Sequence, residues 1–152
     1  MTDEEIRSYL PRLIEPGQRD SALWLAMALR KTDGRLTTLE IHEGHQAIAR
    51  RHLAATGFES LVDARLADAL EAVPLLEGPF DLVLIDAIKS DYLRYYELVL
   101  PKVRKGGVIA AHNMVSNAHD LKEFLARIKS DPAIRTEFFR GSARGLSLSY
   151  KK

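Results

Sequence analysis

The amino-acid sequence predicts an α/β fold with a mostly parallel sheet, helices on both faces and a C-terminal antiparallel strand pair. Strand-like apolar runs alternate with helical segments along the chain, which is the pattern of right-handed strand–helix–strand crossovers. The run at residues 80–85 is almost continuously apolar, as expected for a strand covered on both faces. The last two predicted strands are too close in sequence for a parallel crossover, so we expect them to pair antiparallel.

The predicted helices have amphipathic or apolar patterns with recognisable ends, and they cover residues 22–31, 43–55, 68–76, 92–103 and 117–129. We also predict a short opening helix before them, because Thr2 and Glu5 have the spacing of a capping box. The helix after it is apolar nearly all round, so we expect it to be buried with Trp24 in the core. Gly57 provides the stop of the next helix, and Pro74 interrupts the third.

The predicted strands are short runs bounded by turn residues, and they cover residues 35–41, 61–66, 80–85, 107–111, 134–140 and 146–150. Thr37 and Thr38 make the first strand β-branched near its centre. A turn between Gly141 and Gly145 joins the last two strands. No repeat or linker divides the chain, so we predict a single domain over residues 1–152 with an atypical N-terminal segment at residues 1–19.

Composition excludes several classes of protein. The chain has 152 residues, 46% of them hydrophobic and 28% charged, which is neither a disordered nor a membrane composition. Its net charge of +1 argues against nucleic acid as a partner. The absence of cysteine excludes disulfides and thiolate chemistry, and the acidic start leads into no apolar signal segment. These features favour a cytoplasmic protein with a small-molecule ligand.

Polar or ionisable residues stand at the ends of four successive predicted strands. Glu40 ends the first strand, Asp68 follows the second, Asp86 ends the third, and His112 with Asn113 ends the fourth. Ligands of open parallel sheets bind outside the carboxyl ends of the strands, so these residues are the candidate site.

Each of these residues has a structural alternative beside its functional one. A carboxylate such as Glu40 can accept both hydroxyls of a ribose, or it can simply cap the following helix. Asp86, His112 and Asn113 can ligate one divalent cation, or they can make loop hydrogen bonds. Lys89 lies one helical turn after Asp86 and can face a substrate, or it can form a surface ion pair.

The chain from Ser21 onward resembles the small O-methyltransferases of the catechol and caffeoyl-coenzyme A type, especially bacterial ones. The residues that carry the resemblance are SALWLAMAL, GRLTTLEI, LADALEAVP, GPFDLVLIDAIKSDYLRYYELVLPKVRKGGVIAAHN and GLSLSYK. They follow the family's order and spacing, and the LIDAIK and GGVIAAHN blocks are the most specific. The resemblance implies a Rossmann-like fold, S-adenosyl-L-methionine (SAM) as cofactor and a homodimer.

The resemblance also implies roles for individual residues. Cofactor binding falls to Ser21 beside the methionine carboxylate, Glu40 on the ribose, Asp68 near the adenine, and Asp86. A divalent metal is implied at Asp86, His112 and Asn113, and Lys89 is implied as the general base, with Asp86 as the other catalytic residue. The reaction would be in-line transfer of the methyl group to a hydroxyl of a small molecule, with aromatic acceptors included.

Two departures from the family bear on these expectations. Residues 13–20 contain no apolar strand and no glycine-rich loop, so the family's central strand has no counterpart there. Three explanations of the missing strand are open. Another segment or another chain takes its place, residues are omitted from the sequence, or the protein is a shortened relative. His112 stands where metal-dependent members usually have aspartate, and an imidazole favours Mn²⁺ or another transition metal over Mg²⁺.

Three functions are compatible with the sequence. The leading one is a SAM-dependent O-methyltransferase. The second is a non-catalytic relative that keeps the fold as a binding or dimerisation module. The third is an NAD-type nucleotide-binding domain, since Glu40 also suits the ribose of NAD, although the chain lacks G-x-G-x-x-G.

Overall fold

The computed structural model describes residues 21–139, 141 and 144–152 of the chain. The predicted opening helix, the atypical N-terminal segment and the missing family strand lie outside these residues. The chain divides into two compact units at Ala69 and Leu70. No helix in the described ranges is long and apolar enough to cross a membrane. The single domain predicted over residues 1–152 stays a prediction.

The first unit alternates two helices with two strands, in the order α1 (Ser21–Leu29), β1 (Leu36–Glu40), α2 (Glu43–Thr56) and β2 (Val62–Leu66). The strands pair in parallel, with Leu36 opposite Val62 and Glu40 opposite Leu66. Gly57 ends α2 at a φ of 76°, and its amide bonds the carbonyls of Ala54 and Leu53. The predicted glycine stop is therefore confirmed.

The core of the first unit lies where α1 and α2 meet the strand pair, and it consists of Leu23, Ala26, Leu53, Phe58, Val62 and Ala64. Two side chains of α2 fasten that helix to β2. Gln46 Nε2 and Arg50 Nη2 donate to the carbonyl of Ala64 at 3.1 and 2.8 Å. The carbonyl of Ala64, a buried residue, thus accepts two side-chain hydrogen bonds.

The prediction that Trp24 is a core residue is wrong. Its side chain is 47% exposed, whereas Leu23 and Ala26 are fully buried. Neighbouring residues of a helix point about 100° apart, so burying the face of Leu23 turns Trp24 away from that core. The all-round apolar pattern of α1 gave no indication of which face would be covered.

The second unit contains most of the remaining elements, which are β3 (Phe80–Ile85), α4 (Tyr92–Val99), β4 (Val103–His112), α5 (Lys122–Ser130), β5 (Ile134–Phe139) and β6 (Leu146–Lys151). The short helix α3 (Ala69–Ala72) spans the boundary in sequence. Single 3₁₀ turns cover Val73–Leu75, Lys89–Asp91 and Leu100–Lys102. Helix α4 ends earlier than predicted because the chain tightens into a 3₁₀ turn at Pro101, and α5 begins five residues late.

The four strands of the second unit form one sheet in the order β3-β4-β6-β5. β3 and β4 are parallel, whereas β6 is antiparallel to both β4 and β5. Parallel pairs in both units and an antiparallel C-terminal pair confirm the predicted α/β class. The pairing of β5 with β6 follows from their short connection.

The expectation that residues 80–85 form a strand covered on both faces is wrong for the part of the chain that is described. The described strands form two sheets instead of one, and β3 lies at an edge of the four-stranded sheet. Leu82 is 48% exposed. An apolar run indicates that a strand suits burial, but it does not supply the neighbour that would cover it.

Three tyrosines of α4 are buried, and two of them pack on α5. Tyr92 and Tyr96 meet the ring of Phe124 edge-on, with centroids 5.6 and 6.0 Å apart. Tyr95 is 6% exposed and completes the buried face. Edge-to-face contacts of this kind stabilise a core beyond the burial of their area.

Asp131 joins α4, α5 and the start of β5 through a buried carboxylate. Its Oδ2 accepts from the Tyr96 hydroxyl at 2.8 Å and from Arg127 Nη1 at 2.6 Å, and its Oδ1 accepts from the Ala133 amide at 2.9 Å. Burial opposes ionisation of Asp131. The Ala133 amide, the Tyr96 hydroxyl and the Arg127 guanidinium outweigh that cost and hold the pKa of Asp131 below its ordinary value.

We predict that Asp131→Ala lowers the free energy of unfolding by about 2–3 kcal/mol at neutral pH, the scale of hydrogen bonds to a charged group. Tyr96→Phe, which removes one donor, should cost only about 1 kcal/mol. Because the pKa of Asp131 is lowered on folding, its contribution is complete above the ordinary value of 3.8 and disappears as the pH falls through the folded value. Denaturant unfolding at several pH values measures this. A wild-type-to-variant difference that stays constant below pH 3.8 would contradict the account.

Candidate functional site

Each parallel strand pair brings its carboxyl ends to one edge, and the predicted site residues stand at those ends. In the first unit Glu40 is the last residue of β1, and Asp68 follows the end of β2. In the second unit Asp86 follows β3, while His112 ends β4. The two sets are described separately because they belong to different units.

Glu40 uses one carboxylate oxygen within its own loop. Its Oε1 accepts from the backbone amide of His42 at 2.8 Å. Its Oε2 lies 3.7 Å from His45 Nδ1, which is beyond hydrogen-bond distance. The side chain is 34% exposed, so this second oxygen is accessible to a hydroxyl ligand. Glu40 is not the side-chain cap of α2, which has none.

Asp68 lies in the loop next to Glu40. The preceding residue, Ala67, donates its amide to the backbone carbonyl of Glu40 at 2.9 Å. This bond extends the β1–β2 ladder by one residue and holds the two loops together. Ser21, the third predicted cofactor residue of this unit, is the first residue of α1 and is partly exposed.

In the second unit the structure brings together Asp86, Lys89, His112 and Asn113, which we call the Asp86 cluster. Lys89 Nζ lies 3.1 Å from Asp86 Oδ1, and His112 Nδ1 lies 3.1 Å from Asp86 Oδ2. Asn113 Nδ2 is 3.5 Å from Oδ1, at the limit of a hydrogen bond. The Asp86, Lys89 and His112 side chains are 35%, 21% and 18% exposed, so they are partly screened from water yet accessible.

Tyr92 is a further member of this site that the sequence analysis did not identify. Its hydroxyl oxygen accepts from Lys89 Nζ at 2.8 Å, and the ammonium lies 4.8 Å from the centroid of its ring. Burial, followed by the negative charge of Asp86, raises the pKa of Tyr92 above its ordinary value. The signal in the sequence was the spacing of three residues between Lys89 and Tyr92, which share one helical face.

Asn113 is held in an unusual backbone conformation directly after β4. Its φ is 64°, in the left-handed region that asparagine tolerates better than most residues. The following loop is fastened to the turn before β6, since the amide of Val115 donates to the carbonyl of Arg144 at 2.8 Å. The side chain is 8% exposed, and its Oδ1 is buried without a hydrogen-bond partner in the described structure.

The donor set of the Asp86 cluster does not fit a divalent cation as it stands. Both oxygens of Asp86 face N–H donors, and Asn113 directs its amide nitrogen toward that carboxylate. Among the residues described, no group of three or more His, Cys, Asp or Glu side chains has an arrangement that could hold a metal. Asn113 Oδ1 is buried there without a hydrogen-bond partner among the described residues.

Several known O-methyltransferases are similar to this chain. A family model described as O-methyltransferase matches residues 15–135. The chain is 37% identical over 107 residues to a catechol O-methyltransferase of Niastella koreensis, covering 68% of this chain and 48% of that protein. It is 36% identical over 104 residues to a catechol O-methyltransferase of Mycobacterium tuberculosis, covering 68% and 47%. The chain thus spans about half the length of these curated relatives.

A solved structure agrees with the sequence comparisons. The O-methyltransferase TomG from Streptomyces achromogenes, crystallised in complex with SAM, superposes on this chain with a TM-score of 0.79. The two share 26% identity over 87% of this chain and 68% of that one. TomG is involved in tomaymycin synthesis.

We predict that Asn113→Gly is more stable than Asn113→Ala by about 0.5–1 kcal/mol, although both lose the amide. The positive φ strains alanine but not glycine, and the greater unfolded-state entropy of glycine offsets part of that difference. Chemical denaturation of the two variants measures the gap. Equal stabilities would mean that the backbone at position 113 relaxes out of the left-handed region.

Proposed function

Because this chain belongs to the O-methyltransferase family, we propose that it transfers a methyl group from SAM to a hydroxyl of a small molecule. The observation that carries the proposal is the Asp86 cluster at the carboxyl ends of β3 and β4. Ligands of this kind of sheet bind at that edge. The names of the relatives favour aromatic acceptors such as catechols.

Glu40 is the proposed ribose-binding residue of the cofactor site. Its exposed Oε2 has no hydrogen-bond donor from the described residues, whereas Oε1 is occupied by the His42 amide. The backbone bond at Oε1 fixes the direction of the carboxylate, so that it can accept a ribose hydroxyl with little further loss of freedom. Asp68 near the adenine and Ser21 near the methionine carboxylate remain the assignments that the resemblance implies.

The Asp86 cluster is the proposed acceptor end of the reaction. SAM, when bound, supplies an electrophilic methyl group, and its transfer leaves S-adenosylhomocysteine. The partly screened side chains of the cluster can orient a hydroxyl by hydrogen bonds and exclude part of the surrounding water. Positioning of this type supplies a large share of the rate in a displacement reaction.

The divalent metal predicted at Asp86, His112 and Asn113 stays a prediction, with Mn²⁺ or another transition metal ahead of Mg²⁺ on ligand chemistry. Because the donors do not fit a cation in their present arrangement, we derive no step through it. The homodimer and the cytoplasmic location also stay predictions, and sedimentation of the purified chain tests the first.

We predict that Glu40→Ala weakens binding of SAM and S-adenosylhomocysteine by about 1.5–3 kcal/mol, the scale of hydrogen bonds to a charged group. Isothermal titration calorimetry with both ligands measures the dissociation constants. The matched control is Glu59→Ala, which removes an exposed carboxylate from the loop before β2, at the opposite end of the strand pair. Its affinities should equal those of the wild type.

Two results would count against this assignment. An unchanged dissociation constant in Glu40→Ala would remove Glu40 from the cofactor site. Failure of the wild-type chain to bind either ligand, with NAD bound instead, would replace the proposed function with a dinucleotide-binding one.

A further inference from the structure

The outer edge of β5 carries backbone groups that have no strand beside them. β5 ends the sheet order β3-β4-β6-β5, so among the described strands only β6 pairs with it. The amide of Lys152 bonds the carbonyl of Ala133, and bonded positions alternate along an antiparallel ladder. Residues 133, 135, 137 and 139 therefore bond β6, whereas the backbone of residues 134, 136 and 138 faces outward. Of these outward groups, the amide of Ile134 turns back to the carbonyl of Asp131 at 3.3 Å.

The edge of β5 lacks the features that usually keep two sheets apart. Residues 134–139 contain no proline, glycine or lysine, and their register with β6 is continuous. Phe138 and Phe139 lie at the end of the strand and are 37% and 62% exposed. A regular edge strand with exposed aromatic residues is a template for pairing with another strand.

The free edge of β2, in the first unit, provides a contrast. β2 has the same kind of charge pair, since Arg65 Nη2 lies 2.6 Å from Asp63 Oδ2. The alternation of bonds along the β1–β2 ladder turns the carbonyl of Ala64 away from β1, and that carbonyl accepts from Gln46 and Arg50 of α2. Helix α2 therefore occupies the edge of β2. No side chain of the described residues donates to an outward carbonyl of β5.

We propose that β5 is a dimer interface of this chain, at which a second copy adds its own β5 in antiparallel orientation. A two-fold axis perpendicular to the sheet preserves its faces, so opposite positions are both even or both odd. With the axis at Thr136, the amides of Thr136 and Phe138 donate to the carbonyls of Thr136 and Ile134 in the second copy. The inference goes beyond the proposed methyl transfer and gives a surface to the homodimer that the resemblance implies.

The charges of β5 select this register. Arg135 and Glu137 have side chains 66% and 46% exposed, and they lie 2.9 Å apart within one copy. With the axis at Thr136, Arg135 of each copy lies opposite Glu137 of the other. An axis at position 135 or 137 would instead place like charges directly opposite each other, which destabilises a strand pair.

The same register gives both exposed aromatic residues a cross-strand neighbour. Phe138 comes to lie opposite Ile134 of the second copy, and Phe139 comes to lie opposite Ala133. Apolar pairs of this kind stabilise neighbouring strands. The charge pairs and the apolar pairs therefore favour one and the same alignment.

The joined sheet keeps the two Asp86 clusters apart. β3, which carries Asp86 at its carboxyl end, is the edge strand opposite β5. β4 and β5 are both antiparallel to β6, so they run in the same direction. The two-fold axis reverses that direction in the second copy. The clusters therefore lie at opposite ends of the strands, and neither is part of the interface.

The first test exchanges charges and measures the dimer dissociation constant of the full chain by analytical ultracentrifugation. Arg135→Glu leaves two acidic residues on the edge of β5, and Glu137→Arg leaves two basic ones. Each variant alone should dissociate about 10–100-fold more readily than the wild type, because attractive pairs become repulsive. An equal mixture of the two should recover an affinity within about threefold of the wild type, since acidic side chains then face basic ones.

The matched control is Arg65→Glu, which reverses one charge of the exposed ion pair on β2. Its dimer dissociation constant should equal that of the wild type. Denaturant unfolding of all three variants accompanies the measurement. Their free energies of unfolding should stay close to the wild-type value, because exposed ion pairs contribute little to stability.

The second test reads the register by cross-linking. The chain has no cysteine, so every disulfide comes from introduced thiols. Positions 135 and 137 of opposite copies form a non-hydrogen-bonded pair with Cα atoms about 4.5 Å apart, within reach of a disulfide. A mixture of Arg135→Cys and Glu137→Cys should form a covalent dimer with oxidised glutathione, and it keeps one arginine–glutamate pair. Either variant alone should cross-link far less, because its thiols lie diagonally apart.

Three results would overturn the proposal. The first is a wild-type chain that sediments as a monomer at every concentration measured. The second is a dimer that Arg135→Glu and Glu137→Arg leave unchanged, which would place the interface elsewhere. The third is equal cross-linking of each cysteine variant alone and of their mixture. Methyl transfer is decided separately by SAM binding and turnover, so failure of the interface and failure of the proposed function are distinguishable.

Discussion

The register between β3 and β4 determines which polar side chains meet in the second unit. Ile85 lies opposite Ala111 in this parallel pair, so the next residues, Asp86 and His112, lie at the same level of the sheet. A shift of one residue would turn every side chain of the strand to the other face. The contact between Asp86 and His112, and with it the rest of the cluster, depends on this alignment of apolar residues.

The charge of Asp86 accounts for the residues that surround it. A partly screened carboxylate is costly unless donors compensate it, and Lys89, His112 and the amide of Asn113 all direct N–H groups at its two oxygens. The same charge contributes to the raised pKa of Tyr92. As a consequence, the hydrogen-bond partners of the Asp86 carboxylate are side chains of this chain itself.

Helix α4, which begins with Tyr92, is also anchored further along by contacts of Tyr96. Tyr96 lies one turn further along α4, bonds the buried carboxylate of Asp131 and shares the ring of Phe124 with Tyr92. Asp131 also receives Arg127 from α5 and the amide of Ala133 before β5. The network therefore fixes α4 against α5 and, through Tyr92, limits where Lys89 can place its ammonium.

The sequence by itself determined the order of helices and strands, the glycine stop of α2 and the polar residues at the strand ends. These properties are local. The spacing of apolar residues, the turn residues and the first residue after an apolar run can all be identified from neighbouring positions in the sequence. Tertiary structure alone decided that Trp24 is exposed and that β3 lies at a sheet edge in the described chain. It also decided that Tyr92, a core residue, accepts a hydrogen bond from Lys89. It also decided that Asp86 faces donors of this chain, because partners distant in sequence meet only through strand register and helix packing.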